Sequence, residues 1–167
     1  MRKWIELVAV LSVIGIQGMT NVNAADTPKQ SNAAASKLFV EIAEKVLNYQ
    51  IGLEKELHRA AVESCKGCDT EAEVCGFEYD DVTAILETAL ANDPKSADAA
   101  FLLGRVYWMK SYVGEGSYSQ EYLSSAKKNL ELARKLGISQ RYASKLKYYL
   151  SDTERALTGR YEPRKCE

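Results

Sequence analysis

Apolar residues recur with the period of a helix along nearly the whole chain, and no stretch alternates with the period of a strand. From about Ala33 to Glu63, residues Leu38, Phe39, Ile42, Val46, Tyr49, Leu53, Leu57 and Ala60 fall at i, i+3/i+4 spacing and form one stripe. Ser31 or Asn32 suits its N-cap, and Gly52 is a weak point that invites a bend. A second helix is predicted from about Tyr79 to Asn92, with Tyr79, Val82, Ile85, Leu86, Ala89 and Leu90 on one face. Pro94 ends it, because proline lacks an N–H and disfavours helical dihedrals in the residue before it.

The pattern resumes after Ser96, a good cap, and predicts a third helix over about 97–112. Gly114, Gly116, Ser117 and Ser119 then read as a loop. A fourth helix over about 120–136 places Leu123, Ala126, Leu130 and Ala133 on one side, and Gly137 suits the left-handed stop. The fifth, over about 140–157, starts after Ser139, carries Tyr142, Leu146, Tyr149 and Ala156 on its apolar side, and ends at Gly159. Pro28, Pro94 and Pro163 all fall outside these patterns. The expected fold class is all-α: antiparallel helix pairs with a long N-terminal helix packed on them.

The ends change the picture of where this fold resides. Arg2 and Lys3 precede an uncharged apolar run from Leu7 to Ile16, followed by Val22-Asn23-Ala24 with small residues at the −3 and −1 positions. This is the form of a secretory signal peptide, and the run is too short to span a bilayer. Residues 1–24 are therefore expected to be removed, and 25–31 to be a disordered leader. Residues 32–160 would form one domain, and 161–167 a tail tied down through Cys166. The expected location is the periplasm or the exterior, with no lipid anchor and no membrane span.

Certain small and large residues carry more than helix period. Ala89 and Pro94, followed by Ala100, Leu103, Gly104 and Tyr107, resemble the junction of two tetratricopeptide repeats. The span from Gly104 to Ala126 is about ten residues longer than the standard period of roughly 34 allows, the excess falling at the Gly114–Gly116 loop. With that loop, Leu103-Gly104-x2-Tyr107 and Ala126-x6-Ala133-x3-Gly137 also resemble the Sel-one-like repeat, a helix-pair variant with a longer internal loop. The packing positions would be Ala89, Pro94, Leu103, Gly104, Tyr107, Ala126, Leu130, Ala133 and Gly137. Gly104 and Ala126 would let two helix axes approach, with Leu103, Tyr107 and Leu130 filling the space on either side.

The resemblance implies a groove for a peptide or protein segment. Carried onto this chain, its groove-facing residues are Asp98, Phe101, Arg105 and Trp108, at i, i+3, i+7 and i+10 on one face. Exposed Phe, Arg and Trp would be the types that concentrate binding energy. The other reading of the same face is that Phe101 and Trp108 pack under the long first helix. Tyr112 and Tyr118 would extend a groove rim or be ordinary surface tyrosines.

Charge is balanced overall: 22 basic against 23 acidic residues, or 20 against 22 without Arg2, Lys3 and Glu6. A nucleic-acid binder would be more basic. The distribution is uneven, with 14 acidic and 5 basic residues from Glu41 to Asp98 and 5 acidic and 11 basic from Ala126 to Glu167. The halves attract one another within the fold, are merely solvated faces, or serve an acidic partner or self-association.

Cys65, Cys68, Cys75 and Cys166 form an even set in an exported chain, which predicts two disulfides. The preferred arrangement has one bond inside the Cys65–Cys75 loop and one from that loop to Cys166. Cys65-Lys66-Gly67-Cys68 also has the C-x-x-C form of a redox site, the alternative function, although no strand precedes it as a thioredoxin-like fold would require. His58 with three cysteines would suit a zinc site, but an oxidising compartment disfavours it. Asp69 stands where haem attachment needs histidine, and Gly114-Glu115-Gly116 lacks the third glycine of a phosphate loop. No catalytic residue, metal or cofactor is assigned, and the chain is read as a protein–protein interaction module.

Overall fold

A computed structural model describes residues 28–64, 79–113 and 117–159. Five helices account for most of them: α1 Pro28–Ser64, α2 Asp80–Asn92, α3 Ala97–Lys110, α4 Gln120–Leu136 and α5 Gln140–Leu157. The described residues contain no strand, only an isolated bridge between Tyr112 and Tyr118. The all-α expectation holds. Each helix packs on the next in sequence, α3 against α4 most extensively, and α3 also meets α1 and α5. No helix among the described residues is long and apolar enough to cross a membrane.

The central position of α3 follows from its composition. Ala99, Ala100, Phe101, Leu102, Leu103, Gly104 and Val106 are all buried, so the helix is apolar nearly all round and needs neighbours on several sides. Gly104 makes one of those contacts possible. A Cβ there would lie 2.7 Å from Leu130 Cγ and 3.0 Å from the Leu130 backbone nitrogen, so α4 crosses α3 at closer range than any side chain permits. Leu123, Ala126, Leu130 and Ala133 bury one side of α4, as their spacing predicts. Gly104 thus lies at a helix crossing.

The caps expected from the sequence match the helix ends with two exceptions, and α2 starts after Tyr79 with no side-chain cap. Ser96 Oγ accepts the Ala99 N–H and Ser119 Oγ accepts the Tyr122 N–H, while Gly137 closes α4 with φ +81°. Ser139 precedes α5 without a side-chain cap bond. The other exception is α1, which begins at Pro28 rather than at Ala33, so Ser31 and Asn32 lie inside it and do not cap it. Proline at the first turn forgoes no hydrogen bond, and Ala33, Ala34 and Ala35 favour continuation.

The orientation of α1 is a larger correction. Its buried residues are Ser36, Val40, Ala43 and Leu47, which face the core. The apolar stripe read from the sequence is turned about a third of the way round the helix from them. Leu38, Tyr49, Leu53 and Leu57 are consequently exposed. Space decides this: α2 and α3 come close to α1, and alanine and serine allow that approach where a leucine stripe would not.

Three tyrosine hydroxyls pin neighbouring helices. Tyr79 donates to Glu54 at 2.8 Å, Tyr107 to Glu87 at 3.0 Å and Tyr142 to Glu44 at 2.6 Å. Lys110, in the last turn of α3, pairs with Asp80 in the first turn of α2. Both charges suit the helix ends they occupy.

Candidate functional site

The face bearing Asp98, Phe101, Arg105 and Trp108 is occupied by α5. Phe101 has no exposed surface, and its ring stacks on Tyr142 with centroids 4.8 Å apart. Tyr149, two helical turns along α5, lies 6.1 Å from Phe101 and meets Trp108 edge-on at 5.2 Å. The Arg105 Nε–H donates to the Tyr149 hydroxyl at 3.0 Å. The expectation of an exposed Phe101 is therefore corrected: it is a core residue. The cover comes mainly from the last helix rather than from the first, because Tyr142 and Tyr149 fall at i, i+7 and reach the same face together.

Asp98 behaves differently. It stands in the first turn of α3, half-buried, where its Oδ1 accepts the Ser139 backbone N–H at 3.3 Å. Arg141 lies 3.8 Å from its Oδ2 and 3.3 Å from Glu44 Oε2, with the guanidinium 4.3 Å above the Tyr142 ring. The acidic and basic halves of the chain meet here. Burial, then the hydrogen bond to Glu44, pushes the Tyr142 hydroxyl well above its usual titration range. The tyrosine therefore remains a neutral donor across the physiological range.

Beside Asp98 an open cleft of about 420 Å³ lies where the start of α1 meets the α2–α3 and α4–α5 junctions. Lys37 and Glu41 enter it from α1, Asp93 and Asp98 from the α2–α3 side, and Ser139 and Arg141 from the α4–α5 side. The Ser139 hydroxyl is buried without a hydrogen-bond partner. Two helix starts, at Ala97 and Gln140, are close by. The cleft therefore offers both signs of charge and several polar groups to a ligand, at the end of the predicted face rather than along it.

The sequence-predicted residues are thus divided. Asp98 lines the cleft, while Arg105 and Trp108 are half-buried against α5. Sequence reasoning missed Lys37, Glu44, Ser139 as a cleft group, and Arg141. Only Arg141-Tyr142 directly after a helix cap offered a signal, a cation beside an aromatic at a helix start. Tyr112 and Tyr118, joined by the isolated bridge, pack edge-to-face at 5.6 Å.

Cys65, Cys68, Cys75 and Cys166, and with them the disulfide, redox and zinc readings, lie outside the described residues, as do residues 1–27 and the tail. His58 is half-buried on the packed side of α1. Among the described residues no group of His, Cys, Asp and Glu is arranged to hold a metal ion. No protein-family model, curated protein or solved structure matches this chain.

Proposed function

We propose that this chain is an exported, non-catalytic adaptor of helical-repeat type that binds a protein or peptide segment in the cleft beside Asp98. The observation that carries the reading is the cleft itself. Lys37, Arg141, Glu41, Asp93 and Asp98 line a single opening of about 420 Å³, large enough for a few side chains of an extended segment. Charges of both signs at one opening favour a partner with both, such as a peptide backbone with flanking charged residues. The leader sequence supports export, and the close α3–α4 crossing at Gly104 supports the repeat-type design.

Affinity capture on immobilised protein, with extract from the compartment to which the chain is delivered, tests the proposal. Lys37→Glu and Arg141→Ala remove the two cations; Lys37 is exposed, while Arg141→Ala also gives up its contacts with Glu44 and the Tyr142 ring. Loss of one charge-assisted contact is expected to weaken retention about 10-fold or more, with helicity unchanged by circular dichroism. Retention unchanged in both variants removes the cleft as the binding site.

A further inference from the structure

Of the stripe that α1 turns outward, Val46 also packs against the core, and Leu38, Tyr49, Leu53 and Leu57 remain exposed. Leu38 is 57% exposed, Tyr49 62%, Leu53 39% and Leu57 44%, and Ile42 and Val46 between them are half-buried. These six residues lie at i, i+4, i+8, i+11, i+15 and i+19, a continuous band about 30 Å long. Such a band on a helix surface marks an interaction site.

The charges beside the band identify its occupant. Glu41, Lys45, Glu56 and Arg59 all lie along one edge of it, in the order acid, base, acid, base. Two copies of α1 related by a two-fold axis near Tyr49 run antiparallel and bring like edges together. In that register Glu41 faces Arg59 of the second copy, and Lys45 faces Glu56 of the second copy. The same register sets Ile42 against Leu57, Val46 against Leu53, and Tyr49 against its own counterpart. A parallel pairing would set this edge against the opposite edge of the second copy's band, and the acid–base order would not meet its complement. Arg59 and Glu56 already pair at 3.0 Å within one helix, and both side chains remain more than 60% exposed, so each can take a second partner. Gly52 lies on the same edge, and a Cβ there would meet nothing within 4 Å. A mid-helix glycine destabilises its helix by about 0.5–1 kcal/mol relative to alanine. A second helix passing close by gives it a purpose that its own chain does not.

We infer that the chain forms an antiparallel homodimer through the Leu38–Leu57 face of α1. The interface goes beyond the cleft reading and stands without it. Glu41 borders both surfaces and is left out of the test.

Sedimentation equilibrium of the chain as purified after export, without reductant, reads the assembly directly. The wild type is expected to show twice the protomer mass. Lys45→Glu is expected to weaken the dimer about 100-fold, because it sets like charges together at two symmetric points. Lys45→Glu combined with Glu56→Lys is expected to recover it, which a merely damaged helix would not do. Zero-length carbodiimide coupling of the wild type should join Lys45 to Glu56. Within one helix these residues are about 16 Å apart, so that product can only bridge two copies. A monomeric wild type overturns the inference, as does a dimer that Leu53→Glu leaves intact or a cross-linked dimer lacking the Lys45–Glu56 product.

Discussion

Gly104 and the three pinning tyrosines set the tolerances of this fold at the scale of single residues. Alanine at position 104 would thrust a carbon to 2.7 Å from Leu130 Cγ and 3.0 Å from its backbone nitrogen. The leucine can shift, but the backbone cannot without separating α3 from α4. Gly104→Ala is therefore expected to destabilise by about 1–3 kcal/mol despite better helix propensity, seen as a lower urea midpoint at unchanged m-value. The tyrosines predict a pH dependence. Burial, and then the bond to Glu87, pushes the Tyr107 hydroxyl to about 12, and Tyr79 and Tyr142 are raised further for the same reasons. A raised folded value means that this stabilisation is complete below the unfolded tyrosine value near 10 and is lost as pH rises through the folded values. Stability from this source should stay level up to about pH 10 and then fall, and ultraviolet titration should show tyrosines ionising late.

At the scale of elements, the caps separate by what their side chains do. Ser96 and Ser119 accept helix N–H groups, whereas Ser139 does not. Ser96→Ala and Ser119→Ala should each cost about 1 kcal/mol, and Ser139→Ala far less, in urea unfolding. Element boundaries were legible because the punctuating residues are strong ones: Pro94, Ser96, Ser119 and Gly137 stand within two residues of observed ends of α2, α3 and α4. The face of α1 was not. Its most apolar stripe points to solvent, and Ser36 and Ala43 point inward, because periodicity reports where apolar residues are and not which face has room for a neighbour. The cleft was illegible for a related reason. Lys37, Asp98 and Arg141 come from three separate helices, and no local spacing connects them.

At the scale of the whole molecule, one seam joins the first helix to the last. Glu44 accepts the Tyr142 hydroxyl and pairs with Arg141, residues nearly a hundred positions away. Glu44→Ala removes both contacts and strands a hydrogen-bonding hydroxyl. A loss of about 1.5–3 kcal/mol is expected, together with a fall in Tyr142 burial readable by solvent-accessibility labelling. We propose that the four cysteines form two disulfides, one inside the Cys65–Cys75 loop and one from that loop to Cys166. Thiol titration of native protein should then find none free, and four after denaturation with reductant. Free, readily exchanged thiols at Cys65 and Cys68 would favour the redox reading instead.

The stacking of Phe101 between its own helix and Tyr142 has a consequence in time. Ribosomes deliver α5 after every other described helix, and a chain threaded through a membrane from its N-terminus receives it late again. Until then, α3 presents Phe101 and Trp108 uncovered, and the contact that hides them spans some forty residues of sequence. The half-made molecule is thus stickier than the finished one. The interval before α5 docks is when a chaperone would find its handle, and when slow assembly would be most costly.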